Sequence, residues 1–335
     1  MPELPEVETV RRGLAATTIG YRVVGGEVLL DRTVAYPETS ARFLDGLVGA
    51  TFRQWRRRGK YLLSDLERAD GTTCGLGVHL RMTGQLLWCD RSMPLPKHTR
   101  VRLWVERHPL ARGSGAGQWV TSPYSRDSRD LSNPAHSNHS SHLTKSLPNS
   151  LKTKIDGSET HELRFVDTRT FGQMWWIPPG ISESEIVTGL QKLGPEPLSE
   201  EFTLETFAIA LAHRKRPIKT ALLDQAIVAG VGNIYADEAL FLSGICPTTL
   251  CRDLASAHIE TLRQNIIRVL TDSIALGGTT FSDFVSVTGT NGRYGGIARV
   301  YNRTGQPCGV CQTPIEWIRL AGRSAHFCPQ CQPKR

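Results

Sequence analysis

The sequence predicts a multidomain α+β protein, with antiparallel sheet in its first half, helices in its second and a short cysteine-rich segment at the end. Three observations predict this. Strand-like runs follow one another from VVGGEVLL to ELRFVDTRTFGQMWWI, the apolar period lengthens to that of a helix after GPEPLSEEFT, and two C-x-x-C pairs occupy the last thirty residues.

Composition sets the class. Hydrophobic residues at 39% and charged residues at 21% of the 335 suit a water-soluble globular chain large enough for more than one domain. No stretch is long and apolar enough to span a bilayer, and no signal-peptide segment leads the chain, so cytoplasmic residence is the default expectation. A net charge of +8 and a pI near 9.2 point to an anionic partner, nucleic acid or another charged surface. The run RQWRRRGK gathers Arg53, Arg56, Arg57, Arg58 and Lys60, and Trp55 within it reads as packed inward.

The opening MPELPEVETV reads as a helix start. Proline suits a first helical turn, acids suit the positive helix end, and Val7, Val10 and Leu14 share one face over residues 3–15. Strands follow in VVGGEVLL, GKYLLSDL, TTCGLGVHL, GQLLW and VRLWV, where Val101, Leu103 and Val105 alternate with more polar neighbours. Together with ELRFVDTRTFGQMWWI they predict an antiparallel sandwich or barrel, with a further helix over LQKLG. Residues 108–159 interrupt the pattern: rich in Ser, Asn, His and Gly, they read as a disordered insertion in a hairpin connection, with His108, His136, His139 and His142 incidental.

Helical period then takes over. FTLETFAIALAHR, IKTALLDQAIVAG (ending at Gly230), NIYADEALFLSG and HIETLRQNIIRVLTDSIALGG read as four helices. The short GVGN between the second and third predicts a sharp corner. Glycine permits positive φ there, Asn233 can cap the next helix, and the exposed amides offer a seat for a phosphate.

CGVC at 308–311 and CPQC at 328–331 carry the most specific spacing. Cys308, Cys311, Cys328 and Cys331 supply the four thiolates of a closed, structural zinc site, while Cys74, Cys89, Cys246 and Cys251 are scattered free thiols. Arg319 and Arg323 lie between the pairs, so a zinc-stiffened hairpin would present an arginine to a backbone phosphate. Basic cluster, helical corner and zinc segment together predict a nucleic-acid-binding protein, whether regulator or repair enzyme.

At this point the motifs MPELPEVET, HLRMTG, DTRTFG, LLDQAIVAGVGNIYADEAL and GQPCGVC…FCPQCQ acquire a joint meaning. Ordered along nearly the whole chain outside 108–159, they resemble the formamidopyrimidine-DNA glycosylase family. The related endonuclease VIII branch typically has glycine where this chain has Leu4, which favours the formamidopyrimidine branch. The resemblance implies an N-terminal β-sandwich flanked by helices (1–190, with the insertion), a linker (191–200), a helix–two-turn–helix domain with a lesion-capping loop (201–296) and a C-terminal β-hairpin zinc finger (297–335). It implies a monomeric, nucleoid-associated glycosylase and abasic-site lyase for oxidised purines in double-stranded DNA, with one structural zinc. An oxidised-pyrimidine glycosylase and a non-catalytic zinc-ribbon DNA-binding protein are the alternatives.

Residue by residue, the resemblance implies that Met1 is removed and that Pro2 then attacks the damaged nucleoside through its secondary amine. An interior proline could not do this. Glu3 would be the general acid and base, Glu6 would order the Pro2 amine and a site water, and Lys60 would hold a phosphate beside the flipped sugar. Met82 and Phe171, core residues by default, become with Arg169 the set that fills the emptied stack. Asn233, Arg323, Lys219 and Tyr301 would grip backbone phosphates. Thr288 and Asn302 depart from the family pattern, in positions that bear on base preference.

Overall fold

The computed structural model describes residues 1–107, 160–279, 287 and 292–334. Its first helix, α1 (Leu4–Thr18), starts behind Glu3 with Pro5 in the first turn, where a missing N–H leaves no bond unmade. The Glu6 carboxylate folds back to accept the Glu3 main-chain N–H at 2.8 Å, closing one orphan donor of the helix start. Val7, Val10 and Leu14 face one core and Leu4 faces another. This helix is therefore the wedge between two halves of the molecule, and truncating a side chain buried as fully as Leu4 costs about 2–5 kcal/mol in comparable cores.

The first half contains nine strands: β1 (Tyr21–Val28), β2 (Val34–Tyr36), β3 (Thr51–Arg58), β4 (Tyr61–Glu67), β5 (Thr73–His79), β6 (Gly84–Asp90), β7 (Thr99–Arg107), β8 (Thr160–Asp167) and β9 (Gln173–Ile177), with helix α2 (Ser40–Leu47) after β2. Their hydrogen-bonded order is β2-β9-β5-β4-β3-β1-β7-β8-β6, antiparallel throughout except for β2 with β9. At the β3–β1 join one register pair remains, Arg22 with Thr51, so the sheet folds over there into the two layers of a sandwich. Val101, Leu103 and Val105 are buried and alternate as their sequence predicted; Phe52, Trp55, Leu62 and Leu76 meet them across the core. Strands β7 and β8 are antiparallel neighbours, with Glu106 paired to Thr160, so the segment 108–159 joins adjacent strand ends. The expected insertion itself, and most of the loop 281–296 including Thr288, lie outside the described residues.

Three local expectations are corrected. RQWRRRGK is strand β3 and its turn, which the charge pattern concealed, and α2 carried no clear signal. LQKLG is a single 3-10 turn, Thr188–Lys192, after the four-residue α3 (Glu183–Ile186). The long helix expected over IKTALLDQAIVAG stops early: after α4 (Leu204–Leu211), α5 covers Ile218–Leu222 alone. Asp224 and Gln225 end it. The Asp224 carboxylate takes the Ala226 N–H at 3.0 Å, and the Gln225 amide takes the Gly230 N–H at 2.8 Å while donating to the Val231 carbonyl at 2.9 Å. These side chains bond main-chain groups that a continuing helix would have used.

Helix α6 (Asn233–Leu242) is buried on nearly all sides and packs on α7 (Ser256–Ala275). Beyond α7, β10 (Glu316–Leu320) and β11 (Arg323–Phe327) form a hairpin whose two turn residues, Ala321 and Gly322, both have left-handed φ, 48° and 78°. Its apolar support is small: Phe241, Val300, Cys308, Ile315 and Cys328. Among the described residues no helix is long and apolar enough to cross a membrane.

Candidate active site

Glu3 is 2% exposed and stands where α1 meets the first turn of α6. Its carboxylate accepts the Ile234 N–H at 3.0 Å and faces the Tyr235 N–H at 3.5 Å. The cap of α6 thus comes from another helix. Asn233, expected to cap, is instead its first helical residue, with Gly232 before it. Glycine is required in that corner, since a Cβ on Gly232 would lie 2.3 Å from Glu3 Cδ. Gly230, at φ +85°, turns its carbonyl to the Leu4 N–H at 3.0 Å.

Electrostatics follow from this burial. Desolvation pushes the Glu3 carboxyl up to about 7; the Lys60 ammonium opposes the rise and the Glu6 carboxylate adds to it. Lys60 is 6% exposed and donates to the Val231 carbonyl at 3.0 Å. Burial holds its ammonium below the usual lysine range, with Glu3 and Glu6 pulling it back up and Arg323 lowering it further. Pro2 is buried beside Glu3, and Met1 borders a pocket of about 350 Å³ shared with Lys60, Tyr61, His79 and Arg81. The structure therefore brings Pro2, Glu3 and Lys60 to one place.

Glu6 is buried too, and both its oxygens are engaged. One oxygen holds the Glu3 N–H, while the other accepts the Tyr235 hydroxyl at 2.6 Å and the Thr279 N–H and hydroxyl at 2.8 and 3.0 Å. It fastens α1 to α6 and to the segment just past α7.

Met82 lies in the β5–β6 turn, half-buried, and Arg169 and Phe171 lie in the β8–β9 loop, both exposed. Asp167 draws the two loops together. Its buried carboxylate takes the Thr83 hydroxyl, the Arg169 N–H at 3.2 Å and the Gly172 N–H at 2.7 Å. The Arg169 guanidinium sits 5.4 Å from the centre of the Phe171 ring. Phe171 is 54% exposed, unusual for a phenylalanine on such a braced loop.

Of the four expected phosphate ligands, Arg323 is exposed at the start of β11, Asn233 donates to the Ser324 hydroxyl at 3.2 Å, and Tyr301 packs edge-on against His326 with centroids 5.0 Å apart. Lys219 departs from expectation. It is 1% exposed, and its ammonium is held by Asp237 at 2.6 Å and by the Ser324 carbonyl, so it faces the protein interior and not a phosphate. The four cysteine sulfurs lie within 4.8 Å of one another, with neighbouring pairs at 3.4, 3.5 and 3.8 Å. Tetrahedral zinc with bonds of about 2.3 Å holds sulfurs about 3.8 Å apart, so the set fits one structural ion. His326 points to Asp237 and leaves the four cysteines as the ligand set.

A family model described as formamidopyrimidine-DNA glycosylase N-terminal domain matches residues 1–174. The H2TH domain of the same glycosylase matches 193–285, and a zinc finger found in FPG and IleRS matches 305–334. The curated formamidopyrimidine-DNA glycosylase of Nostoc punctiforme is 51% identical over 100% of this chain and 97% of its own, and that of Acaryochloris marina is 51% identical over 100% of both. The chain belongs to the formamidopyrimidine-DNA glycosylase family. Among solved structures, a Lactococcus lactis Fpg in complex with abasic-site DNA aligns over 99% of this chain and 100% of its own, at 29% identity and a TM-score of 0.76. The wild-type Lactococcus lactis enzyme in complex with DNA containing an oxidised pyrimidine aligns at 30% identity and a TM-score of 0.75, with the same coverage.

For a glycosylase of this family, the Arg-rich strand is a second correction to the charge reading. Arg53 pairs with Glu67, Arg56 with Asp65 and Glu183, Arg57 with Glu8 and Glu196, and Arg58 with Glu196. These guanidiniums are engaged within the fold, and a cleft of about 760 Å³ beside them is lined by Arg56 with Glu183 and Arg57 with Glu8. Trp55 is buried as expected, its indole N–H donating to the Thr18 hydroxyl at 2.8 Å. Sequence reasoning passed over His79, whose imidazole borders the Lys60 pocket. Burial pulls it down to about 3, and its Nδ1 accepts the Arg81 N–H at 3.0 Å. It also passed over Asp167, although the D in DTRTFG lies two and four residues before Arg169 and Phe171, both of which it named.

Proposed function

We propose that the chain excises oxidised purines, 8-oxoguanine and formamidopyrimidines, from duplex DNA and then cleaves the strand, working as a monomer on the nucleoid. The supporting observation is the pairing at α1: a carboxyl held near neutrality, next in sequence to Pro2 and beside a buried lysine. Once Met1 is removed, Pro2 carries a secondary amine, and chain-terminal amines titrate near ~7.7–8.0, so part of it is neutral at working pH. That amine attacks C1′ of the flipped nucleotide. The C1′–N bond to proline forms as the bond to the base breaks, and the proton the amine sheds goes to the departing base; the Glu3 carboxyl, which remains protonated to about 7, then gives its proton to O4′ as the C1′–O4′ bond opens and leaves an iminium.

The resulting iminium acidifies C2′. Loss of that proton expels the 3′ phosphate, and a second elimination expels the 5′ phosphate, with ionised Glu3 accepting the proton. Lys60 and Arg323 hold the flanking phosphates, while Met82 and Phe171 fill the vacated stack and Arg169 bonds the orphaned cytosine. Zinc, when bound, supplies no chemistry of its own and stiffens the hairpin that carries Arg323.

Parallel cleavage assays on duplexes containing 8-oxoguanine, formamidopyrimidine or thymine glycol test this reading. It requires the two purine lesions to be cut faster; preference for thymine glycol would replace it with the oxidised-pyrimidine alternative.

A further inference from the structure

Three buried titratable groups take no part in the chemistry above. Asp237 is fully buried in the second turn of α6, Lys219 is 1% exposed in α5, and His326 is 9% exposed in β11. One carboxylate joins them. Asp237 Oδ1 accepts the Lys219 ammonium at 2.6 Å; Oδ2 accepts the His326 main-chain N–H at 3.0 Å and lies 3.2 Å from its ring Nδ1. We propose that Asp237 is a positioning residue for DNA binding, setting the seat of β11 on α6 so that Arg323 presents itself to the DNA backbone. The proposal rests on the reading that Arg323 meets a phosphate.

The spacing supports it. Asn233 and Asp237 are four residues apart on a helix, a rise of about 6 Å, and Ser324 and His326 are two apart on a strand, about 6.8 Å. Successive turns of α6 thus grip successive same-edge residues of β11: Asn233 the Ser324 hydroxyl, Asp237 the His326 N–H. The edge concerned is the one its partner leaves unpaired. Leu320 and Arg323 flank the two-residue turn as a hydrogen-bonded pair, so the Arg319–Ser324 and Trp317–His326 pairs turn their N–H and C=O groups outward. Lys219 takes the outward carbonyl of Ser324 and Asp237 the outward N–H of His326.

A slip of one residue would move both groups to the opposite edge and leave a buried carboxylate and a buried ammonium without their strand partners. The cost of a dehydrated ion pair is understandable in these terms, since such pairs are best known for fixing register. Zinc closes the far end of the hairpin, but the Asp237 cluster fixes where its near end points.

The test compares wild type, Arg323→Ala, Asp237→Asn and the double variant, each with zinc content measured, in binding to a duplex carrying a tetrahydrofuran abasic analogue across a salt series. Arg323→Ala should weaken binding and flatten the logarithmic salt slope by about 0.9, the value for one lost phosphate contact. Asp237→Asn should retain one zinc per chain, weaken binding by a similar factor and flatten the slope likewise. The double variant should then be no weaker than Arg323→Ala alone. Wild-type affinity and slope in Asp237→Asn, or losses that multiply in the double variant, overturn the proposal while leaving the phosphate contact standing. An Arg323→Ala protein that binds like wild type removes the contact itself, and the positioning role with it. Should Asp237→Asn not fold, Lys219→Met combined with Asp237→Leu removes both charges at similar volume, and the same two outcomes apply to it.

Discussion

The carboxylate of Glu3 accepts a hydrogen bond from the main-chain N–H of Ile234, 231 residues later in the chain, at 3.0 Å. The acid at the head of α1 is also the cap of α6. Helix α1 sits between the sandwich core and the helical core, so the two halves meet at the residue proposed to move protons. A carboxyl in that position is dehydrated, and its raised affinity for a proton follows.

That shift predicts an exchange of stability for activity. The folded-state value of Glu3, about 7, lies above its ordinary 4.5, so the favourable contribution of the protonated form is complete below 4.5 and lost as pH rises through 7. Glu3→Gln, which never ionises, should melt higher than wild type at pH 8, with the difference disappearing by pH 4.5. Base excision should fall by on the order of a hundredfold or more at every pH. Melting curves across this range, beside single-turnover cleavage, check both halves.

The ion pairs of β3 make a contrary prediction for a basic segment. Arg53→Ala and Arg56→Ala should leave DNA affinity and its salt slope as in wild type, because these guanidiniums already face Glu67, Asp65 and Glu183. A flatter slope in either variant would place β3 against DNA.

Phe171 is more than half exposed, so Phe171→Ala should change thermal stability by no more than about 0.5 kcal/mol. Its loss should nevertheless slow 8-oxoguanine excision by on the order of tenfold, since the extruded base leaves a gap that alanine cannot fill. Calorimetry and single-turnover rates measure the two independently.

Removing the metal should act on the hairpin. Five buried residues make up its apolar support, too few to order it unaided. Cys308→Ser, or a strong chelator, should take zinc from one per chain to none and abolish tight DNA binding. Metal analysis and gel-shift titration report the two effects.

Much of this was legible in local sequence. GVGN announced a corner because two glycines and an asparagine have few other uses together, and the cysteine spacing announced its site because four thiolates in two close pairs suit one ion. Val101, Leu103 and Val105 showed their face by simple alternation. Other features depend on partners far along the chain. The arginines of β3 read as a DNA surface because Glu183 and Glu196, which bind them, lie more than a hundred residues away. Lys219 entered as a phosphate ligand through the resemblance alone, and nothing near it in sequence discloses that Asp237 and Ser324 enclose it. The end of α5 was hidden too: periodicity continues past Asp224, and the side-chain bonds that stop the helix belong to the folded corner.

The central claim is that the Pro2 amine, freed by loss of Met1, forms the covalent bond to DNA. The direct measurement is borohydride trapping on an 8-oxoguanine duplex, followed by peptide mapping of the adduct, for the processed protein and for a form retaining one residue ahead of Pro2. The account predicts a trapped adduct at Pro2 in the processed protein and none in the blocked form, with zinc unchanged in both. An adduct on Lys60, or one that still forms when Pro2 is blocked, would contradict it.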